Sequence, residues 1–258
     1  MNFVMFQFGK RIIKAVLPSA ALIWFRRRKQ RAVRECNERL RTQDVFARIY
    51  SENLWGGSPG TFCSGSGSEP EMVNPYCDMV KQFVVERGVR TILDIGCGDF
   101  RVGRYLQVAG VSYVGIDIVP ALIERNRKLF GSESIRFLCL DAIEEPLPQA
   151  DLVLVRQVFQ HLSNRQISQI LEKLRGYQYI MVTEHFPAPG AAIVPNLDKP
   201  HGGDTRIPDG SAICLDKPPF KVAGLQTMLR VPASHCLVGQ GETIETMLFG
   251  GKDVPKSE

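Results

Sequence analysis

The chain has 258 residues, 44% hydrophobic and 23% charged, enough for one large α/β domain with extensions and for a core that needs no covalent staples. Its seven cysteines are odd in number and no two stand as C-x-x-C, which argues against a disulfide framework or a zinc site and makes a reducing cytosol the expected compartment. The net charge of +5 is uneven: residues 1–50 carry twelve Lys/Arg against three Asp/Glu, a net of +9, while the rest sums to −4, so the body is not built to hold a polyanion and nucleic acid is not an expected partner.

Residues 1–29 open on Phe3, Val4, Met5, Phe6 and Phe8, and then Ile12, Ile13, Val16, Leu17, Ala20, Ala21 and Trp24 recur at spacings near those of one helical face. Lys10, Arg11 and Lys14 interrupt the run, Pro18 would kink a helix, and Arg26-Arg27-Arg28-Lys29 follows. A spanning helix needs about 20 uninterrupted apolar residues, and a signal peptide needs a small-residue cleavage site that this stretch lacks. Two readings stay open: an in-plane helix with its basic residues toward anionic headgroups, peripheral on the inner face of a membrane, or a basic extension that is solvated or packs on the body.

Residues 30–50 also read as helical, with Val33, Leu40, Val45, Phe46 and Ile49 as the apolar positions, so residues 1–50 form a basic arm. Residues 51–74 are loop in composition (Trp55-Gly56-Gly57-Ser58-Pro59-Gly60, then Ser64-Gly65-Ser66-Gly67-Ser68), and residues 75–258 make up the main domain. That domain opens on a helix over 75–86. Strands follow at 91–95, 112–116, 135–140, 151–156 and 179–183, separated by helices near 101–109, 120–130 and 164–176. This alternation predicts a Rossmann-like parallel sheet with helices on both faces. Residues 185–220 hold seven prolines and break the pattern as an insertion, and two strand-like runs, 225–231 and 242–249, close the chain.

The first strand ends in Leu93-Asp94-Ile95-Gly96-Cys97-Gly98. Glycines after a buried strand let the backbone turn sharply and let a ligand approach with no Cβ in the way. A dinucleotide fingerprint would need glycine at 101, where Arg101 stands. An acid at the strand end repels a pyrophosphate but suits a ligand with an α-amino group and a positive sulfur. Asp117 ends the second strand, 21 residues after Gly96, where a carboxylate accepts hydrogen bonds from both ribose hydroxyls of a nucleoside. Asp141 ends the third.

Asp94-x-Gly96-x-Gly98, with Asp117 and Asp141 in order at the next strand ends, resembles the class I S-adenosylmethionine (SAM) dependent methyltransferases. The resemblance covers about residues 75–185. It implies a seven-stranded, mostly parallel sheet ending in an antiparallel hairpin whose final strand lies beside the fifth. It also implies SAM held by Asp94, Gly96, Cys97, Gly98, Asp117, Ile118, Asp141, Ala142 and Gln157, with Asp141 and Ala142 at the adenine and Gln157 by the methionine end. Trp55 or the Ser/Gly loop would fold over the cofactor as a lid. The Asn/Asp-Pro-Pro-aromatic motif of amino methyltransferases is absent at 156–159.

His161, Glu184 and His185, at the ends of the fourth and fifth strands, are the catalytic candidates; a histidine there is placed to take the proton of an attacking hydroxyl. His201 and Asp204 extend this polar set, but its spacing does not demand a metal, and none is expected. His235 is expected to be structural. The reading reached is O-methylation of a small-molecule or glycan acceptor, such as a surface polysaccharide precursor, the arm resembling those of bacterial enzymes of that kind. An RNA or protein methyltransferase that uses the basic arm, and a SAM-binding module without catalysis, remain as alternatives.

Overall fold

The computed structural model describes residues 19–65, 67, 70–233 and 241–256. The apolar run of residues 3–17, Ser66, Ser68 and His235 lie outside them. Seven strands form one sheet in the order β3-β2-β1-β4-β5-β7-β6: β1 (Thr91–Ile95), β2 (Ser112–Asp117), β3 (Ile135–Cys139), β4 (Leu152–Arg156), β5 (Tyr179–Phe186), β6 (Gln226–Pro232) and β7 (Thr243–Phe249). The first five are parallel, and β7 runs antiparallel between β5 and β6. This is the sheet and the hairpin insertion that the resemblance implied.

The period-2 alternation of each strand divides the core. Leu93, Ile95, Val153, Val155 and Val182 face α5 (Asn164–Leu174) through Ile167, Ile170, Leu171 and Leu174. Ile92, Leu152, Leu154 and Met181 face α3 (Pro70–Arg87) through Tyr76, Val80, Phe83 and Val84. Because both faces are covered, the central strands are continuously apolar. α5 starts where its capping box dictates: the Ser163 side chain accepts from Gln166 N and Gln166 reaches back to Ser163 N. α4 (Pro120–Phe130) begins at its proline.

Several sequence expectations are corrected. No α-helix spans residues 101–109; a single 3₁₀ turn, Gly103–Tyr105, stands there. Phe100 has a left-handed backbone (φ 61°), which no helix start accepts, and its ring is buried edge-on against Tyr113 and Phe137. The segment is a plug under the glycine loop, and no α-helix starts directly after that loop. Residues 19–50 are not one continuous arm. α1 (Ser19–Glu38) and α2 (Thr42–Ser51) are separate, α2 buries Val45, Ile49 and Tyr50, and α1 is bolted to the insertion by Arg34, whose Nη2 lies 2.5 Å from both Asp204 and Asp209. α3 begins at Pro70, so the loop before it is shorter than 51–74. β5 runs three residues further, to Phe186, and so places Glu184 and His185 inside the strand. Among the described residues no helix is long and apolar enough to cross a membrane.

Candidate active site

The carboxyl ends of β1, β2, β4 and β5 open into one cavity of about 270 Å³. Its floor is the glycine loop. Gly96 and Cys97 both donate their N–H to Ile116 O, which locks the loop to β2. Gly96 and Gly98 have φ of +71° and +55°, and a Cβ on Gly96 would stand 2.5 Å from Val158 Cγ2. Asp117 projects beside this loop. Its two oxygens accept from Gly98 N (3.2 Å) and Val119 N (3.0 Å), and each keeps a lone pair for another donor. Burial pushes its carboxyl up to about 6. Ile118, Asp141 and Ala142 line the same end, where Asp141 Oδ1 accepts from Ile143 N. The structure thus brings together the nucleoside residues read from sequence.

Asp94 also lines the cavity, but it is spoken for: Tyr113 Oη donates to its Oδ2, and burial raises its carboxyl to about 7. Beside it stands Arg156, which composition and spacing did not single out. Its guanidinium lies 5.1 Å over the Tyr76 ring, and Nη2 donates to Gly67 O at 2.8 Å. Gln157 adopts a left-handed backbone (φ 55°), and its side chain lies against Gly67, where a Cβ would meet Oε1 at 1.9 Å.

The roof is aromatic. The segment after α2 folds over the cavity and is tied down twice. Asp99 N donates to Ser64 Oγ and Ser64 N to Asp99 Oδ2, while Trp55 Nε1 donates to Gly203 O of the insertion. Trp55 packs on Tyr50, Phe46 and His161, with centroids 5.4, 6.0 and 4.9 Å away.

His161 lines the cavity under this roof. Its Nδ1 lies 3.2 Å from Gly202 O, and only the Nδ1–H tautomer can donate to a carbonyl, which leaves Nε2 as an acceptor. Burial, and then the positive charge of Lys199, bring the imidazole down to about 4, so it is neutral near pH 7. Glu184 is a correction. It is fully buried on the α5 side, outside the cavity, where it accepts from Phe159 N (2.9 Å) and Gln160 N (3.3 Å). It fixes the 3₁₀ turn that carries His161 and touches no ligand space. His185 reaches the cavity wall with Nε2 2.8 Å from Glu242 Oε2. Arg206, fully buried, donates to the carbonyls of Phe159, Gln160, Leu162 and Leu197 and so clamps the insertion onto the turn. His161, Glu184, His185, His201 and Asp204 do not converge: among the described residues no group of three or more His, Cys, Asp or Glu is gathered to hold a metal ion.

Residues 93–177 match the family model described as a methyltransferase domain. Over that stretch the chain is similar to methyltransferase domains, which take SAM as cofactor. Its own residues fit that cofactor: a glycine floor with no room for a Cβ beside Val158 and Ser64, a carboxylate with open lone pairs where the resemblance expects the ribose, and a cation at the opposite end. No curated protein matches the sequence. Among solved structures, human N-acetylserotonin methyltransferase in complex with SAM superposes with a TM-score of 0.49 at 17% identity, covering 82% of this chain and 60% of that one. Magnesium protoporphyrin IX methyltransferase (ChlM) from Synechocystis PCC 6803 with bound SAM gives 0.47 at 15% identity, covering 81% and 97%. The N-methyltransferase NodS from Bradyrhizobium japonicum WM9 with S-adenosylhomocysteine gives 0.46 at 14% identity, covering 70% and 88%. This chain therefore spans less than two thirds of the human enzyme's length.

Proposed function

We propose that the protein transfers the methyl group of SAM to a hydroxyl of a small-molecule or glycan-type acceptor, such as a surface polysaccharide precursor. The observation that carries this reading is His161: a neutral imidazole in the cavity wall, with Nδ1 committed to Gly202 O and Nε2 an acceptor that meets only the Gln160 amide among the described residues, at a long 3.4 Å that a closer hydroxyl can displace. An attacking hydroxyl needs such an acceptor for its proton, whereas an amine attacks through a free lone pair. Bound SAM supplies an electrophilic methyl on a positively charged sulfur. The chain's part is to position and to exclude water. Asp117 holds the nucleoside, the faces of Trp55 and Phe46 seat the acceptor ring, and His161 Nε2 takes up the hydroxyl proton. The small cavity under the roof of Tyr50, Trp55 and Ser64 supports a compact acceptor.

The arm supports a membrane-associated version of the same reading. Gln30 and Arg34 of α1 hold Asp204, next to Gly203 and Thr205 of the cavity wall, so the basic stretch that includes exposed Lys29 and Arg31 adjoins the acceptor side. Anionic headgroups attract such a run. Labelled SAM incubated with an extract of the source cell should mark a small or lipid-linked hydroxyl compound; label in RNA or protein would refute the acceptor class. Co-sedimentation with anionic vesicles, lost on deleting residues 1–29, tests the membrane association, and unchanged sedimentation would refute it.

A further inference from the structure

We propose that Arg156 anchors the carboxylate of the cofactor's amino-acid moiety, an assignment that rests on the SAM reading of the cavity. Arg156 is the last residue of β4, and the alternation of the strand turns it to the α3 side, the face shared by Asp94 and Thr183. It therefore lies at the methionine side of the glycine floor, across β1 from the ribose carboxylate, Asp117.

Among the described residues, its charge is unanswered. Of five guanidinium N–H donors, one goes to Gly67 O, and among the described residues no other acceptor takes the rest. Nε is shut from bulk water and unpartnered. No ion pair reaches Arg156 among the described residues. The two described acids whose charge it feels are both committed elsewhere: Asp94 accepts from Tyr113, and Glu184, on the other side of the sheet, accepts from Phe159 and Gln160 N–H. A cation withdrawn from water without a counter-charge is costly to keep, and a carboxylate on its free donors removes that cost. The planar fork matches a carboxylate in two parallel hydrogen bonds. The Tyr76 ring below holds the guanidinium plane in place, so little freedom is lost on binding.

The test compares two ligands that differ only by that group: S-adenosylhomocysteine and its decarboxylated analogue, which keeps the nucleoside, the sulfur and the amine. Calorimetry on the full chain should show wild type binding the first about tenfold or more tighter, as a charge-assisted pair requires. Arg156→Met should abolish that preference while leaving the analogue's affinity within about twofold, which also reports that the variant folds. Arg156→Lys should keep part of the preference. Equal binding of both ligands by wild type, an unchanged ratio in Arg156→Met, or an equal loss of both ligands in Arg156→Met and Arg156→Lys would overturn the assignment. Failure of wild type to bind either ligand would instead overturn the SAM reading.

Discussion

Replacing His161 with Gln removes an imidazole whose protonation opposes folding, and the size of the effect follows from its surroundings. Burial under Trp55 and the charge of Lys199 bring it from 6.5 down to about 4. Between those values the unfolded chain binds a proton that the folded chain refuses. Wild type therefore gains stability as pH rises through this window and loses it as pH falls from 6.5 to 4. At 1.36 kcal/mol per pKa unit, trimmed because the ring edge faces the cavity, the change is about 2–3 kcal/mol. For a domain of this size that corresponds to roughly 4–12 °C in Tm. Asp94 and Asp117, whose carboxyls are raised, shift stability in the opposite sense, but they are common to both proteins and cancel in the difference. Melting curves of wild type and His161→Gln from pH 4 to 7.5 should show the wild-type advantage shrinking by that amount on acidification. A constant difference, or one that widens in acid, would refute the environment assigned to His161.

Lys199→Met withdraws the positive charge beside His161. It should raise the ring's pKa, seen by NMR titration, and move the acid limb of kcat/KM to higher pH. Asp117→Asn should weaken S-adenosylhomocysteine binding by about 10- to 100-fold, measured by calorimetry, since it removes a charged acceptor; unchanged affinity would remove the ribose site. Gly96→Ala drives a Cβ against Val158 and should abolish cofactor binding, while Gly110→Ala, with φ +78° but open space around it, should cost only about 1–2 kcal/mol of stability and leave binding intact. Glu184→Ala strands two buried N–H groups and should cost about 2–6 kcal/mol by denaturant titration, with cofactor affinity of the folded fraction retained. Full stability with loss of turnover alone would restore Glu184 to a chemical role.

What could be read from the sequence was whatever local pattern dictates. Buried parallel strands are runs of apolar residues between turn signals, so a parallel sheet and the three acids at its carboxyl ends followed from spacing, while the closing antiparallel hairpin was implied only by the family resemblance. The failures share one cause, contacts between residues far apart in the chain. Nothing near Arg101 warns that Phe100 turns left-handed to bury its ring on Tyr113 and Phe137, so a helix was expected where a plug stands. Glu184 reads like an active-site acid until Phe159 and Gln160, some 25 residues away, present their N–H groups to it. Arg156 follows four apolar residues and looks like the end of a strand; only the approach of Tyr76 and Gly67 gives it a role. Arg206 sits in a proline-rich stretch with no periodicity at all, and its work is done on carbonyls more than 40 residues earlier.

Ser64 joins two tasks. It exchanges hydrogen bonds with Asp99, on the glycine floor, and with Tyr50, while Trp55 in the same segment is pinned to the insertion. The roof over the acceptor end and the latch over the cofactor end are one strip of chain. Loosening residues 55–65 would therefore uncover both ends of the cavity in one movement. What holds Trp55 down also holds Ser64 over the glycine floor, so the two ends of the cavity are coupled through one segment.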